Sequence, residues 1–157
     1  MRRSPLLIAV LILTGCASNP LPDDYAGQTA VVKDSHANYV EVNGMKPEHV
    51  ELFAMNEMDG KLIKNARYNT ITATQANQYT RLIIVGAERK VPIKPLKVEL
   101  VGQIYSTDSL LGPDPRQTEK TVSFTPLAGE TYVVRGRLGE SGSDVWIETA
   151  SGKRVTQ

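Results

Sequence analysis

The stretch that most constrains the fold of this chain covers residues 124–138, Phe-Thr-Pro-Leu-Ala-Gly-Glu-Thr-Tyr-Val-Val-Arg-Gly-Arg-Leu. Pro126 and Gly129 punctuate two β-rich runs, so the stretch reads as the end of one strand, a tight turn and the start of another. The second strand opens on Tyr132. A tyrosine that enters a strand just after a turn can bond its hydroxyl back to backbone a few residues upstream, which pins a corner in a β-sandwich. The expected class is therefore all-β.

The rest of the chain fits that class. Residues 28–34 are β-rich and form a first strand, whereas 35–48 are polar, with Asn43-Gly44 and Lys46-Pro47, and read as a loop. Residues 49–58 have strand length and lead into Asp59-Gly60, a pair that tolerates positive φ and predicts a hairpin into residues 61–64. Residues 65–78 are thin in apolar side chains and predict a long connection with a single helical turn. Residues 79–85 read as a buried strand, turned at Gly86-Ala87 into another over 88–93. In residues 96–105, Leu96, Val98, Leu100, Gly102 and Ile104 share one face, and Lys97, Glu99 and Gln103 share the other. Val101 and Tyr105 are the exceptions on what otherwise reads as a strand with one wet face. Residues 106–117 contain Gly112-Pro113-Asp114-Pro115 and predict an exposed loop before a strand over 118–125. Two further strands and a short tail that adds a last strand after Ser151-Gly152 complete the domain. Seven to eight strands at regular spacing, with no sustained helical period, predict a single antiparallel β-sandwich over residues 28–157.

The first residues give an address. Met1-Arg2-Arg3 precedes an apolar run that reaches Leu13, and small residues follow, which are the parts of a secretory signal. The run is about half of the ~20 residues that a spanning helix needs. Leu13-Thr14-Gly15-Cys16 resembles the lipobox of bacterial lipoproteins. The resemblance implies that residues 1–15 are a cleaved signal peptide and that Cys16 becomes the acylated first residue of the mature chain. Ala17-Ser18 in place of an aspartate after the cysteine implies delivery to the outer membrane, with the domain facing the periplasm. Residues 16–27, rich in Pro and Asp, then read as the lipidated cysteine and a flexible tether. Cys16 is the only cysteine, so no intramolecular disulfide is available.

The proline-led strand over 91–102, followed by the P-x-A-G-x-x-Y pattern of Pro126 to Tyr132, is similar to that of a group of small uncharacterised bacterial lipoproteins. That resemblance implies an immunoglobulin- or prealbumin-like sandwich, and its motifs are fold motifs that carry no chemistry. The plan is also similar to that of the prealbumin-like outer-membrane lipoprotein of the type six secretion system. An accessory role in an envelope-spanning machine is thus one alternative, and a small-ligand carrier is another.

Cleavage after residue 15 removes two of the 18 basic side chains and none of the 17 acidic ones, leaving a nearly neutral domain. A nucleic-acid partner calls for a basic excess that this chain lacks. Asp34-Ser35-His36 holds the residue types of a hydrolase triad, but neighbours on an extended chain point to opposite sides and cannot form the relay. Gly139-Glu140-Ser141-Gly142 falls short of a nucleophile elbow. His49 and Glu51 share a strand face and could offer two metal ligands, with His36 the only other histidine. There is no phosphate loop or dinucleotide fingerprint. The expectation is a non-enzymatic module without metal or cofactor, held to the membrane by its lipid and bound to another envelope protein.

The last hairpin supplies a candidate face for that partner. A four-residue loop over 140–143 would pair Leu138 with Val145, Arg137 with Trp146 and Arg135 with Glu148. Tyr132, Val134, Leu138, Val145 and Ile147 then face the core, and Arg135, Arg137, Trp146 and Glu148 face outward with Val133. The only tryptophan would sit among arginines on the outside, and Trp and Arg are enriched where interfaces concentrate their energy. A one-residue slip would exchange the two faces.

Overall fold

The computed structural model describes residues 19–41, 48–107 and 116–156. Cys16 and its signal sequence therefore lie outside the described residues, as does most of the loop expected over 106–117. The described residues form nine strands and one helix: β1 (Thr29–Lys33), β2 (Ser35–Val40), β3 (His49–Met58), β4 (Lys61–Leu62), α1 (Ala66–Ala76), β5 (Glu88–Pro92), β6 (Leu96–Ser106), β7 (Gln117–Phe124), β8 (Thr131–Arg137) and β9 (Asp144–Thr149). They build a β-sandwich. One sheet has the order β5-β1-β8-β9; the other runs β2-β3-β6-β7, with β4 also paired to β3. All pairings are antiparallel except that of β1 with β8.

The 124–138 stretch joins the two sheets. β7 ends at Phe124 in one sheet and β8 starts at Thr131 in the other. The buried Tyr132 hydroxyl accepts the Leu127 N–H at 3.0 Å, and its ring meets Phe124 edge-on at 4.8 Å between centroids. The turn also receives β1: Gly129 N–H donates to Thr29 O and Val31 N–H to Glu130 O, both at 3.0 Å. One short segment thus fixes a strand in each sheet and the register of β1.

Between the sheets, the Phe53 ring lies across two glycines. Gly102 is its ladder partner on β6, and Gly136 belongs to β8 in the opposite sheet. A Cβ on Gly136 would lie 2.3 Å from Phe53 Cδ1, so no side chain fits there without moving the ring. At the other hairpin, Asp59 and Gly60 both have positive φ, 51° and 76°, as the turn between β3 and β4 requires.

Four sequence expectations are corrected. Residues 35–40, expected in a loop, form β2 on β3. Residues 65–78, expected to hold one helical turn, contain the 11-residue α1, with Asn65 as N-cap accepting the Tyr68 N–H at 2.9 Å. Residues 79–85, expected as a strand, join no sheet. They run past α1 and use its threonine hydroxyls as partners: Ile83 N–H donates to Thr74 Oγ1 and Val85 N–H to Thr70 Oγ1, each at 3.0 Å. Finally, β6 has no wet face along most of its length. Val50, Leu52, Leu82 and Tyr105 form a second buried cluster with Ile71 and Ile84, so Tyr105 faces the helix layer.

Asp34 fastens that layer to the sandwich. It lies between β1 and β2, where the chain changes sheets, and its carboxylate accepts a fork from Arg89, with Nη1 at 2.8 Å from Oδ1. The same oxygens accept the Met55 N–H on β3 and the Ala66 N–H at the start of α1, at 3.1 and 2.8 Å. The Asp34 side chain is 0% exposed and that of Arg89 4%.

Candidate functional site

The final hairpin differs in register from its sequence reading. Arg137 pairs with Asp144, Arg135 with Trp146 and Val133 with Glu148, a shift of two residues that lengthens the connection to 138–143. Because side chains alternate with a period of two, this shift leaves both faces as expected. Tyr132, Val134, Leu138, Val145 and Ile147 are buried in the core, and Arg135, Arg137, Trp146 and Glu148 lie on the outer face.

On that face, Trp146 is half-buried. Its Nε1–H donates to Glu148 Oε2 at 3.1 Å, and Glu148 Oε1 accepts from Arg135 Nε at 3.2 Å. The cation over the ring is Arg154, 4.7 Å from the centroid, rather than either arginine of β8. Arg154 also bonds Asp144 Oδ2 at 2.8 Å, and Lys120 on β7 bonds Asp144 Oδ1 at 3.0 Å. Burial alone would raise the Asp144 carboxyl, but the bonds from Lys120 and Arg154 outweigh it and hold it below the usual carboxylate range. Arg137 is exposed at the rim, opposite Asp144.

The chain after β9 makes this arrangement possible. Glu148 forms a single bridge with Arg154, Val155 N–H donates to Ile147 O at 2.8 Å, and Thr149 N–H donates to Lys153 O at 2.9 Å. Ile147 N–H is met by the Thr156 hydroxyl and Val145 N–H by Asp144 Oδ1. The β9 edge thereby has its donors filled from within the chain, which blunts it against strand pairing. The tail, read from sequence as a further strand, is a strap along this edge that lays its arginine on the tryptophan.

The other residue types singled out from the sequence have structural partners. Asp34 holds Arg89 and two backbone amides, and the Ser35 hydroxyl donates to Val134 O. His36 is exposed on β2. Glu51 is buried on β3, two residues from the half-buried His49. No group of three or more His, Cys, Asp or Glu able to hold a metal occurs among the described residues. A buried glutamate that the sequence did not flag, Glu48, accepts the Leu82 N–H and a 3.4 Å bond from the Tyr39 hydroxyl. Comparison with protein-family models, curated proteins and solved structures gave no match.

Chemically, the hairpin face offers an aromatic ring, two arginines that can reach a partner and a carboxylate already engaged by Arg135 and Trp146. Trp and Arg are the residue types enriched where interfaces concentrate their energy, and the cation already on this ring, Arg154, comes from within the chain.

Proposed function

We propose that the protein is a lipid-anchored β-sandwich of the cell envelope that acts without catalysis, as a binding or structural module. Cys16 in its lipobox context places the acyl anchor at the start of the mature chain and the sandwich in the periplasm. A single acyl chain binds a membrane only marginally, and multiple chains make attachment stable. The observation that carries the binding reading is the outer face of the four-stranded sheet. Among the described residues its side chains Arg135 and Arg137 are exposed and Trp146 and Glu148 half-buried, with only the tail's Arg154 laid over the ring, whereas the other sheet is roofed by α1. This supports an envelope protein as the occupant of that face.

Two experiments test this. Cys16→Ser should yield unprocessed precursor that takes up no labelled fatty acid; normal labelling would refute the anchor. In intact cells, a photo-crosslinker at Arg137 should capture a discrete partner, and Trp146→Ala should abolish that adduct. A crosslinker at the exposed Tyr68 on α1 should not capture it. The same adduct from both positions, or its persistence in the Trp146→Ala background, would refute the face.

A further inference from the structure

Residues 19–25 lead from the anchor to β1. Composition suggests a loose tether, but the structure lays this segment against the sandwich. Residues 19–22 line a cavity of about 370 Å³ together with Glu88, Arg89 and Lys90 of β5. The same four residues line a second cavity of about 200 Å³ with Met58, Lys61 and Ile63 beside β4. The segment therefore crosses from the β4 edge of one sheet to the β5 edge of the other. Pro20 and Leu21 are half-buried in that crossing, and Tyr25 N–H closes a turn onto Pro22 O at 3.1 Å. The two prolines fix φ and need no partner for an N–H, so the strap keeps its shape with few bonds.

We propose that this strap sets the sandwich on the bilayer in one orientation, with the β4–β5 edge against the lipid headgroups and the β7–β9 edge turned away. The inference rests on acylation of Cys16. Three peptide steps separate Cys16 from Asn19, and a fully extended chain covers at most about 3.6 Å per step, so Asn19 lies within roughly 11 Å of the anchor. The headgroup region adds about 5–8 Å to each side of the hydrocarbon core. The first docked residue is thus at or just above the headgroups. A free coil over residues 16–27 would instead give an average reach of about 20 Å and let the domain turn over.

The consequence for the hairpin face follows from strand order. β9 is the third strand from β5 in its sheet, and neighbouring strands are about 4.8 Å apart, so Trp146 stands roughly 14 Å further from the bilayer than β5. On the opposite edge, Lys120 on β7 and Asp144 on β9 hold the two sheets together at 3.0 Å. The anchor would hide the strap edge and display the tryptophan.

Cys16 is the sole cysteine and acylation consumes its thiol, so an introduced cysteine is a unique label site. The test uses the acylated mature chain, from Cys16 on, in phosphatidylcholine vesicles doped with a headgroup-nitroxide lipid. A fluorophore is placed at exposed Leu62 (L62C, on β4) or exposed Glu119 (E119C, on β7). Quenching several-fold stronger at position 62 is expected, and a long Gly/Ser linker inserted after Ser18 should erase the difference. Equal quenching at the two positions, or a difference that survives the linker, overturns the orientation while leaving the anchor in place. A chain that does not float with the vesicles overturns the anchor, and the orientation falls with it.

Discussion

The two sheets use their outer faces in opposite ways. On the five-stranded sheet, α1 and residues 82–85 cover Val50, Leu52 and Tyr105, and polar bonds run along the join from Asn65 through Asn56 to Glu99. On the four-stranded sheet, the outward side chains are Val31, Val133 and a half-buried Trp146 set among Lys33, Arg135, Arg137 and Glu148, with one tail arginine laid over the ring. The covered face draws on long-range pins, the open face on short surface pairs. Buried pins are costly to break, because removing one partner strands the other away from water. Surface pairs are worth about 0–1 kcal/mol. Stability should therefore be concentrated on the covered side and binding on the open side.

The sharpest way to break that division is Asp34→Ala. It leaves Arg89 buried without its carboxylate and removes the acceptor of the Ala66 and Met55 amides. The expected loss is about 3–5 kcal/mol, read from the urea midpoint. Adding Arg89→Met should recover part of it, since the stranded charge goes too. Next is Gly136→Ala, which drives a methyl into the Phe53 ring; overpacking of this kind costs about 1–3 kcal/mol. Thr70→Val removes the acceptor of the Val85 amide inside the roof. About 1–3 kcal/mol is expected, with faster amide exchange at Val85 and no change at Tyr132. Exchange that rises equally in both places would mean the roof is not a separate layer.

The same contrast explains what could be read from the sequence. The faces of β8 and β9 were legible because their apolar and charged residues alternate, and they survived a two-residue error in register because the period is two. The Asp59-Gly60 turn was legible because it is local. α1 was not, because the side it buries is Ala66, Thr70 and Thr74, which gives no apolar stripe for a helical period to catch. Residues 79–85 looked like a strand because Leu82, Ile83, Ile84 and Val85 are apolar. Their amides nevertheless find threonine hydroxyls nine and fifteen residues earlier, a pairing no local pattern encodes. Val101 and Tyr105 were the legible trace of the roof, since a strand with one wet face has no reason to point them outward. The reach of Arg154 to Trp146 depends on how the tail folds back after Ser151-Gly152, and the residue types alone did not give it.

The smallest effects belong to the open face, and they test its chemistry best. Trp146→Ala should cost under about 1 kcal/mol, as for other solvent-reached cation–ring pairs, while the crosslink described above disappears. Acid should act on the same spot in a narrow window. The Asp144 carboxyl titrates below its ordinary value in the folded chain, so its contribution is fully present above the unfolded value of about 3.9 and fades as pH falls through the lower folded one. With Asp144 protonated, Arg154 loses its anionic partner and with it part of its hold on the ring. Trp146 is the sole tryptophan, so emission reports on this site alone: it should stay constant from pH 7 to about 4.5 and shift red only below about 4. In a Glu148→Gln background, which leaves the indole N–H an acceptor of fixed charge, Arg154→Ala should give the red-shifted spectrum at neutral pH and remove the acid step. A shift between pH 5 and 7, or an acid step that persists without Arg154, would mean that something other than the Asp144–Arg154 pair covers the tryptophan. The open face would then be less open than its geometry implies.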